Sequence, residues 1–253
     1  MTVHFVGAGP GAPDLNTLRA QRLIASSPVV LYAGALVPSE VLAHAPADAR
    51  LVDTQHLDLD AIIDEYAAAH DRGDDVARLH SGDVSIWSAA AEQMRRLDAL
   101  EIPYDITPGV PAFAAAAASL GRELTLPGVA QTVILTRHAR RATPMPEGED
   151  LDALAAHGAT LVLHLAVQAI DEIAPRLAEH YGDDGPVAVV ARASHADEIV
   201  LQGSLATIAA QVHAAGVRRS AVIIVGPALA GPAFCDSHLY SAGRDRTRPG
   251  SYP

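Results

Sequence analysis

Thr2-Val3-His4-Phe5-Val6-Gly7-Ala8-Gly9-Pro10-Gly11-Ala12-Pro13-Asp14 is a short apolar run that passes straight into a glycine-proline loop. The run has the length and composition of a buried strand. Three glycines in five residues let the backbone turn sharply and approach a ligand, because no Cβ stands in the way. Such a loop belongs at the carboxyl end of a parallel strand, where open α/β sheets bind small molecules. It is not a dinucleotide fingerprint. The glycines fall as G-x-G-x-G, Pro10 removes an N–H that a pyrophosphate would use, and Ser26-Ser27-Pro28-Val29-Val30-Leu31-Tyr32 offers no acid for a ribose.

Working outward, apolar β-branched runs alternate with alanine-rich segments of helical character. The pattern predicts strands at Val3–Val6, Val29–Tyr32, Val76–Leu79, Tyr104–Ile106, Val133–Thr136, Thr160–Leu165, Val187–Ala191 and Ala221–Val225. It predicts helices at Thr17–Ala25, Leu59–His70, Ile86–Ala99, Ala112–Leu120, Gln168–Tyr181 and Ser204–Ala215. The expected class is α/β: two domains with mainly parallel sheets, loops following the strands on one side of each sheet, and an active-site cleft between the domains. Gly121, Pro127 and Gly128 interrupt the pattern, which puts the domains at 1–120 and 121–240, with a flexible tail over 241–253. The proline-rich loop at 142–150 is either a lid or a surface excursion.

Composition narrows the chemistry. Of 253 residues, 49 % are hydrophobic and 19 % charged, enough for a sizeable core. All eighteen basic residues are Arg, which excludes Schiff-base, pyridoxal-phosphate and Walker-lysine chemistry. A net charge of −12 without a basic face argues against nucleic acid. The longest apolar stretch, Ala159 to Ile170, is too short to span a bilayer, and no leader-like segment opens the chain, so a cytoplasmic protein is expected. Cys235 stands alone, which excludes an internal disulfide. The histidines show no metal-ligand spacing, and no metal is expected.

Two further segments carry candidate chemistry. In Arg78-Leu79-His80-Ser81-Gly82-Asp83-Val84-Ser85-Ile86-Trp87, a strand ends, a turn follows and a helix is expected from Val84 or Ser85. Ser81 or Asp83 either caps that helix or joins the exposed N–H groups in holding a ligand with both signs of charge. In Thr107-Pro108-Gly109-Val110-Pro111-Ala112-Phe113-Ala114-Ala115-Ala116, a Pro-Gly turn opens an alanine helix. The small side chains serve either tight packing on a sheet or room for a flat ring.

In this order, and with Leu31-Tyr32-Ala33-Gly34-Ala35-Leu36-Val37 and Glu123-Leu124-Thr125-Leu126-Pro127-Gly128-Val129-Ala130-Gln131-Thr132-Val133-Ile134-Leu135-Thr136-Arg137, the segments resemble the tetrapyrrole (corrin/porphyrin) methyltransferases. The resemblance runs over about residues 2–240. It implies S-adenosyl-L-methionine as methyl donor, a tetrapyrrole substrate from cobalamin or sirohaem biosynthesis, and a homodimer. It places the cofactor on Pro10, Ser81, Gly82, Asp83, Ile86, Pro111, Ala112, Leu165, Ala193, Pro227 and Ala228. Many relatives read Gly-Asp-Pro-x-x-Tyr-Gly where this chain has Gly82-Asp83-Val84-Ser85-Ile86-Trp87-Ser88, and Trp-Pro where it has His195-Ala196. A many-carboxylate substrate needs cations, and Arg78, Arg122, Arg137, Arg140 and Arg141 are the expected partners, against the alternative of ordinary surface arginines. No catalytic acid or base is identified. A non-catalytic tetrapyrrole binder on the same fold is the competing reading.

Overall fold

The computed structural model describes residues 1–139, 143–231 and 234–238. The chain divides into two compact units: Met1–Ala116 together with Arg192–Glu198, and Ala117–Ala191 together with Ile199–Pro253. The expected tail at 241–253 lies outside the described residues. Among those that are described, no helix is long and apolar enough to cross a membrane.

The first unit runs β1 (Val3–Gly7), α1 (Leu18–Ser26), β2 (Val29–Tyr32), α2 (Ser39–Leu42), β3 (Arg50–Asp53), α3 (Leu59–Arg72), β4 (Val76–His80), α4 (Ala91–Ala99), β5 (Tyr104–Thr107) and the start of α5 (Ala112–Ser119). Its sheet is wholly parallel, in the order β3-β2-β4-β1-β5. Side chains alternate across it. Val3, Phe5, Val29, Leu31 and Val76 face α3 and α4 through Ile62, Tyr66 and Leu97. Val6, Val30, Ala77 and Leu79 face α1 through Ala20 and Ile24. With both faces covered, central β2 is a continuous apolar run, and β1 and β4 are broken only by His4, Arg78 and His80. The helix ends follow local chemistry: Thr17 accepts from the Ala20 N–H, Asp58 accepts from the Ala61 N–H, and Gly73 closes α3 with φ +77°.

The second unit runs β6 (Val133–Arg137), α6 (Leu151–Ala155), β7 (Thr160–His164), α7 (Ile170–Tyr181), β8 (Pro186–Ala191), β9 (Ile199–Ser204), α8 (Ile208–Ala214) and β10 (Ala221–Val225). Its order is β6-β7-β10-β8-β9. Only β6 and β7 pair in parallel; β10 runs against both its neighbours, and β9 runs against β8. This corrects the expectation that the loops after all strands share one side. Leu161, Leu163, Val189 and Ile223 pack on Ile173 and Leu177 of α7 and Ile208 of α8.

Arg78 is a second correction. It was expected either to meet the carboxylates of a substrate or to be an ordinary surface arginine, yet β4 carries it inward, where it is 5 % exposed. One guanidinium N–H donates to Thr54 Oγ1 at 2.9 Å and another to Gln93 Oε1 at 3.3 Å. Gln93 also accepts from the Tyr66 hydroxyl at 2.6 Å, and Thr54 donates onward to the Tyr32 carbonyl at 3.0 Å. Position 78 shares the strand face of Val76, so parity alone aims it at Tyr66 and α4. Burial lowers its pKa and raises that of Tyr66. No carboxylate pairs with it among the described residues, so neutral dipoles carry the charge. Arg78→Ala strands those partners and should lower the unfolding free energy by about 3 kcal/mol in a urea melt, whereas Arg122→Ala, on the surface, should change it by less than about 0.5 kcal/mol.

Candidate active site

Because β1 lies between β4 and β5, the loops that leave these three strands meet at one end of the sheet. They meet backbone to backbone. A Cβ on Gly7 would come within 2.4 Å of the Gly109 nitrogen, and one on Gly109 within 2.2 Å of the Gly82 carbonyl oxygen. No side chain fits at either position. Gly9 and Gly82 exchange two hydrogen bonds, at 3.1 and 2.7 Å, and the Ala8 N–H donates to the His80 carbonyl at 2.8 Å. The β1 loop is thus sewn to the β4 loop.

Asp83 ties the β4 loop to the third. Its Oδ2 accepts from the Gly109 N–H at 2.7 Å, and its Oδ1 accepts from the Ser85 N–H at 2.9 Å and from the Ser85 hydroxyl. Partial burial pushes the carboxyl up, but the donors of Ser85, Gly109 and Val84 outweigh it and hold Asp83 below the ordinary aspartate value. It is an anion with lone pairs to spare. The helix expected from Val84 or Ser85 does not form there. Trp87 (φ +48°) and Ala89 (φ +53°) are left-handed, the segment winds as successive turns, and α4 starts only at Ala91. Asp83 therefore caps a loop, and its contact with Gly109 is what the sequence pattern could not supply.

The loops are rich in proline. Pro10, Pro13, Pro108 and Pro111 have no N–H, which thins the donors these loops can offer, and Asp83 adds a carboxylate. That surface favours a ligand bearing positive charge and donor groups over a phosphate. Pro10 and Gly82 are buried, Ser81 is exposed, and Asp83, Ile86, Pro111 and Ala112 are half-buried. A Cβ on Gly82 would lie 3.7 Å from the Ala112 nitrogen and the Pro111 Cα, so Gly82 leaves a small gap facing the start of α5.

A fourth segment joins these loops from far along the chain. Arg192–Glu198, between β8 and β9, packs with the first unit. Ser194 Oγ accepts from the Ala12 N–H at 2.9 Å, while the Ser194 N–H donates to Glu198 Oε2 at 2.6 Å. The His195 ring covers Gly11 so closely that a Cβ there would fall 2.3 Å from its Cδ2. Ala193 is buried beside them. Ser194 and Glu198 are site-building residues that the sequence did not reveal, and His195 stood out there only as a departure from its relatives' Trp-Pro. They sit in a short polar stretch between two apolar runs, with nothing in their spacing to mark them.

The remaining expected residues scatter. In the second unit Leu165 follows β7, 71 % exposed at φ +54°. The antiparallel register pairs Ile223 with Leu163 and Val225 with Leu161. Leu165 is therefore at the end where β10 begins, and Pro227 and Ala228 are beyond the other end, about 20 Å away along the strands. The structure does not bring Leu165 together with Pro227 and Ala228. Ser220, left-handed at φ +53°, and Ala221, paired with Ala191, occupy the Leu165 end instead. Arg122 is exposed; Arg137 donates to the carbonyls of Thr143 and Pro144 at 2.8 and 3.4 Å. Arg140 and Arg141, with residue 142 of the proline-rich loop, lie outside the described residues.

Comparison with known proteins bears on this geometry. The family model described as Tetrapyrrole (Corrin/Porphyrin) Methylases matches residues 2–209, and the chain belongs to that family. Among its relatives, the precorrin-4 C(11)-methyltransferase of Rhodococcus erythropolis is 62 % identical over 98 % of this chain and 99 % of that one. Among solved structures, a cobalt precorrin-4 methyltransferase superimposes with a TM-score of 0.88 at 34 % identity, covering 91 % of this chain and 96 % of the other. A uroporphyrin-III C-methyl transferase from Thermus thermophilus, solved with S-adenosylhomocysteine, gives 0.72 at 31 % identity over 90 % and 93 %.

His80 gives this end of the sheet a pH signature. It is 5 % exposed, its Nε2 has no partner among the described residues, and its ring lies 5.8 Å from Phe5. Burial, reinforced by the charge of Arg78 and opposed by a backbone hydrogen bond at Ser88, pushes it down to about 3. Below its unfolded value of 6.5 the unfolded chain takes up a proton that the folded one refuses. Stability should fall as pH drops from 6.5 towards 3, by up to about 1.4 kcal/mol per pH unit from this group. Urea melts across that range should show His80→Gln with a slope shallower by about one proton.

Proposed function

We propose that this chain transfers the methyl group of S-adenosyl-L-methionine to ring carbon 11 of precorrin-4, acting in cobalamin biosynthesis. The observation that carries the reading is the trio of glycine backbones with the ionised Asp83 beside them. The joined loops make an acceptor-rich surface whose charge suits a cationic nucleoside, and the extensive identity to the Rhodococcus enzyme supports the choice of acceptor. When bound, that cofactor supplies an electrophilic methyl on a positively charged sulfur.

The protein's part is positional. Pro10, Ser81, Gly82, Asp83, Pro111 and Ala112 belong to loops that the glycine contacts hold in register before any ligand arrives, so little is lost in ordering them. Ile86 and Ala193 supply apolar walls. The Asp83 carboxylate accepts donors of the ligand while its own bond to Gly109 keeps it aimed. Ser194, Glu198 and His195 brace the β1 loop from the other side. An electron-rich ring carbon needs orientation against the methyl more than it needs a base. Within the second unit, Ser220 and Ala221 rather than Pro227 and Ala228 lie at the strand end that carries Leu165.

The identity figures favour the metal-free acceptor: 62 % to a relative named for precorrin-4, against 43 % to a relative named for the cobalt form. A homodimer in the cytoplasm is part of the same proposal, and light scattering should give the mass of two chains. With methyl-labelled cofactor and precorrin-4, the label should appear at carbon 11 by NMR; label at another carbon would move the assignment within the family, and binding of tetrapyrrole without turnover would support a carrier. Gly82→Ala places a methyl in the gap facing α5 at a strained φ of +72°, and calorimetry should show adenosylhomocysteine affinity reduced at least about tenfold in a folded protein.

A further inference from the structure

We propose that Arg19, Arg22 and Thr107 form a carboxylate-binding subsite at the edge of the first sheet, and that it receives an acidic side chain of the tetrapyrrole. A cavity of about 360 Å³ opens between α1 and the edge strand β5, lined by Arg19, Arg22, Leu23, Asp105, Ile106 and Thr107. Arg19 and Arg22 stand three apart on one helix, so their guanidinium groups are neighbours and repel each other. Among the described residues neither makes an ion pair or a hydrogen bond, although acids outnumber bases thirty to eighteen in this chain. Asp105, in the same lining, is turned to His4, both its oxygens lying about 3 Å from Nδ1, at 2.9 and 3.0 Å, and it pairs with neither arginine among the described residues. Two unpaired forks at the mouth of a cavity bind planar carboxylates bidentately. Leu23 and Ile106 offer the apolar wall that the methylene of an acidic arm requires.

The position fits the chemistry. Thr107 is the last residue of β5, and the next two are Pro108 and Gly109 of the site. Arg19 and Arg22 lie on α1, which begins four residues after Asp14, at the end of the glycine-proline loop. The subsite therefore flanks the loops in which the cofactor is proposed to sit. None of the arginines named from sequence lies there.

This inference rests on the tetrapyrrole reading, and the test separates the two. Trp87 is the only tryptophan, so its fluorescence reports binding of a porphyrin directly. Uroporphyrin, which carries eight carboxylates, is titrated into wild type, Arg19→Gln/Arg22→Gln and Arg19→Lys/Arg22→Lys, with adenosylhomocysteine affinity measured in parallel. The proposal expects the Gln pair to weaken uroporphyrin about tenfold or more with adenosylhomocysteine within twofold, and the Lys pair to recover part of the loss. Succinate alone should not bind in the micromolar range; if it does, and the Gln pair abolishes it while uroporphyrin is unaffected, the cavity serves a free dicarboxylate and the proposal is overturned. Unchanged uroporphyrin binding with a shift in oligomer mass also overturns it, making this edge an interface between copies. Failure of wild type to bind uroporphyrin while binding adenosylhomocysteine would instead count against the tetrapyrrole reading.

Discussion

Everything at the functional end of the first sheet depends on three peptide units lying in van der Waals contact. Gly7, Gly82 and Gly109 leave adjacent parallel strands and approach closer than any side chain allows. The reward is rigidity. Loops after parallel strands are ordinarily mobile and independent. Here the Gly9–Gly82 pair and the bond from the Gly109 N–H to Asp83 make them one body. A ligand that needs several weak contacts at once then finds them already arranged, which is how a protein can align two reactants without paying for order at the moment of binding.

The same loops set the sign of the field. Four prolines subtract donors, Asp83 adds a charge kept ionised by its hydrogen bonds, and the chain as a whole is acidic. A cationic cofactor is favoured by all three. An acidic macrocycle is opposed by them, so its recognition must come from local cations that the protein has not already spent. Several described arginines are spent: Arg50, Arg72, Arg96, Arg176 and Arg192 pair with carboxylates, Arg78 is buried among neutral dipoles, and Arg137 donates to backbone carbonyls. The contrast between committed and uncommitted arginines is visible only once the packing is known.

What the amino-acid pattern revealed, and what it hid, follows from the range of the forces involved. Strands β1, β2, β4 and β7 are largely apolar runs because they are covered on both faces, and they stand where the runs stand. β3 and β9 escaped notice: both are edge strands, with exposed Arg50, Leu51, Ile199 and Val200, so no buried run marks them. The helix expected from Val84 failed because Trp87 and Ala89 are held left-handed against their own preference, a choice made by the surrounding loops. Strand direction was equally hidden, since Ala221–Val225 reads the same forwards or backwards, and with it went the placement of Pro227 and Ala228. The glycine-proline loop, Ser81-Gly82-Asp83 and Pro111-Ala112 were legible as separate segments. That Ser194 and His195 close over the first of them was not, because their meeting spans 182 positions of chain in the Ala12–Ser194 bond.

Hydrogen exchange with and without adenosylhomocysteine tests the central claim most directly. If the joined loops are the cofactor's seat, protection should rise in peptides covering residues 7–16, 81–90, 107–113 and 192–198 together, with similar midpoints in ligand concentration, because these segments are tied to one another. Protection confined to one of these loops, or appearing in the second unit alone, would contradict it.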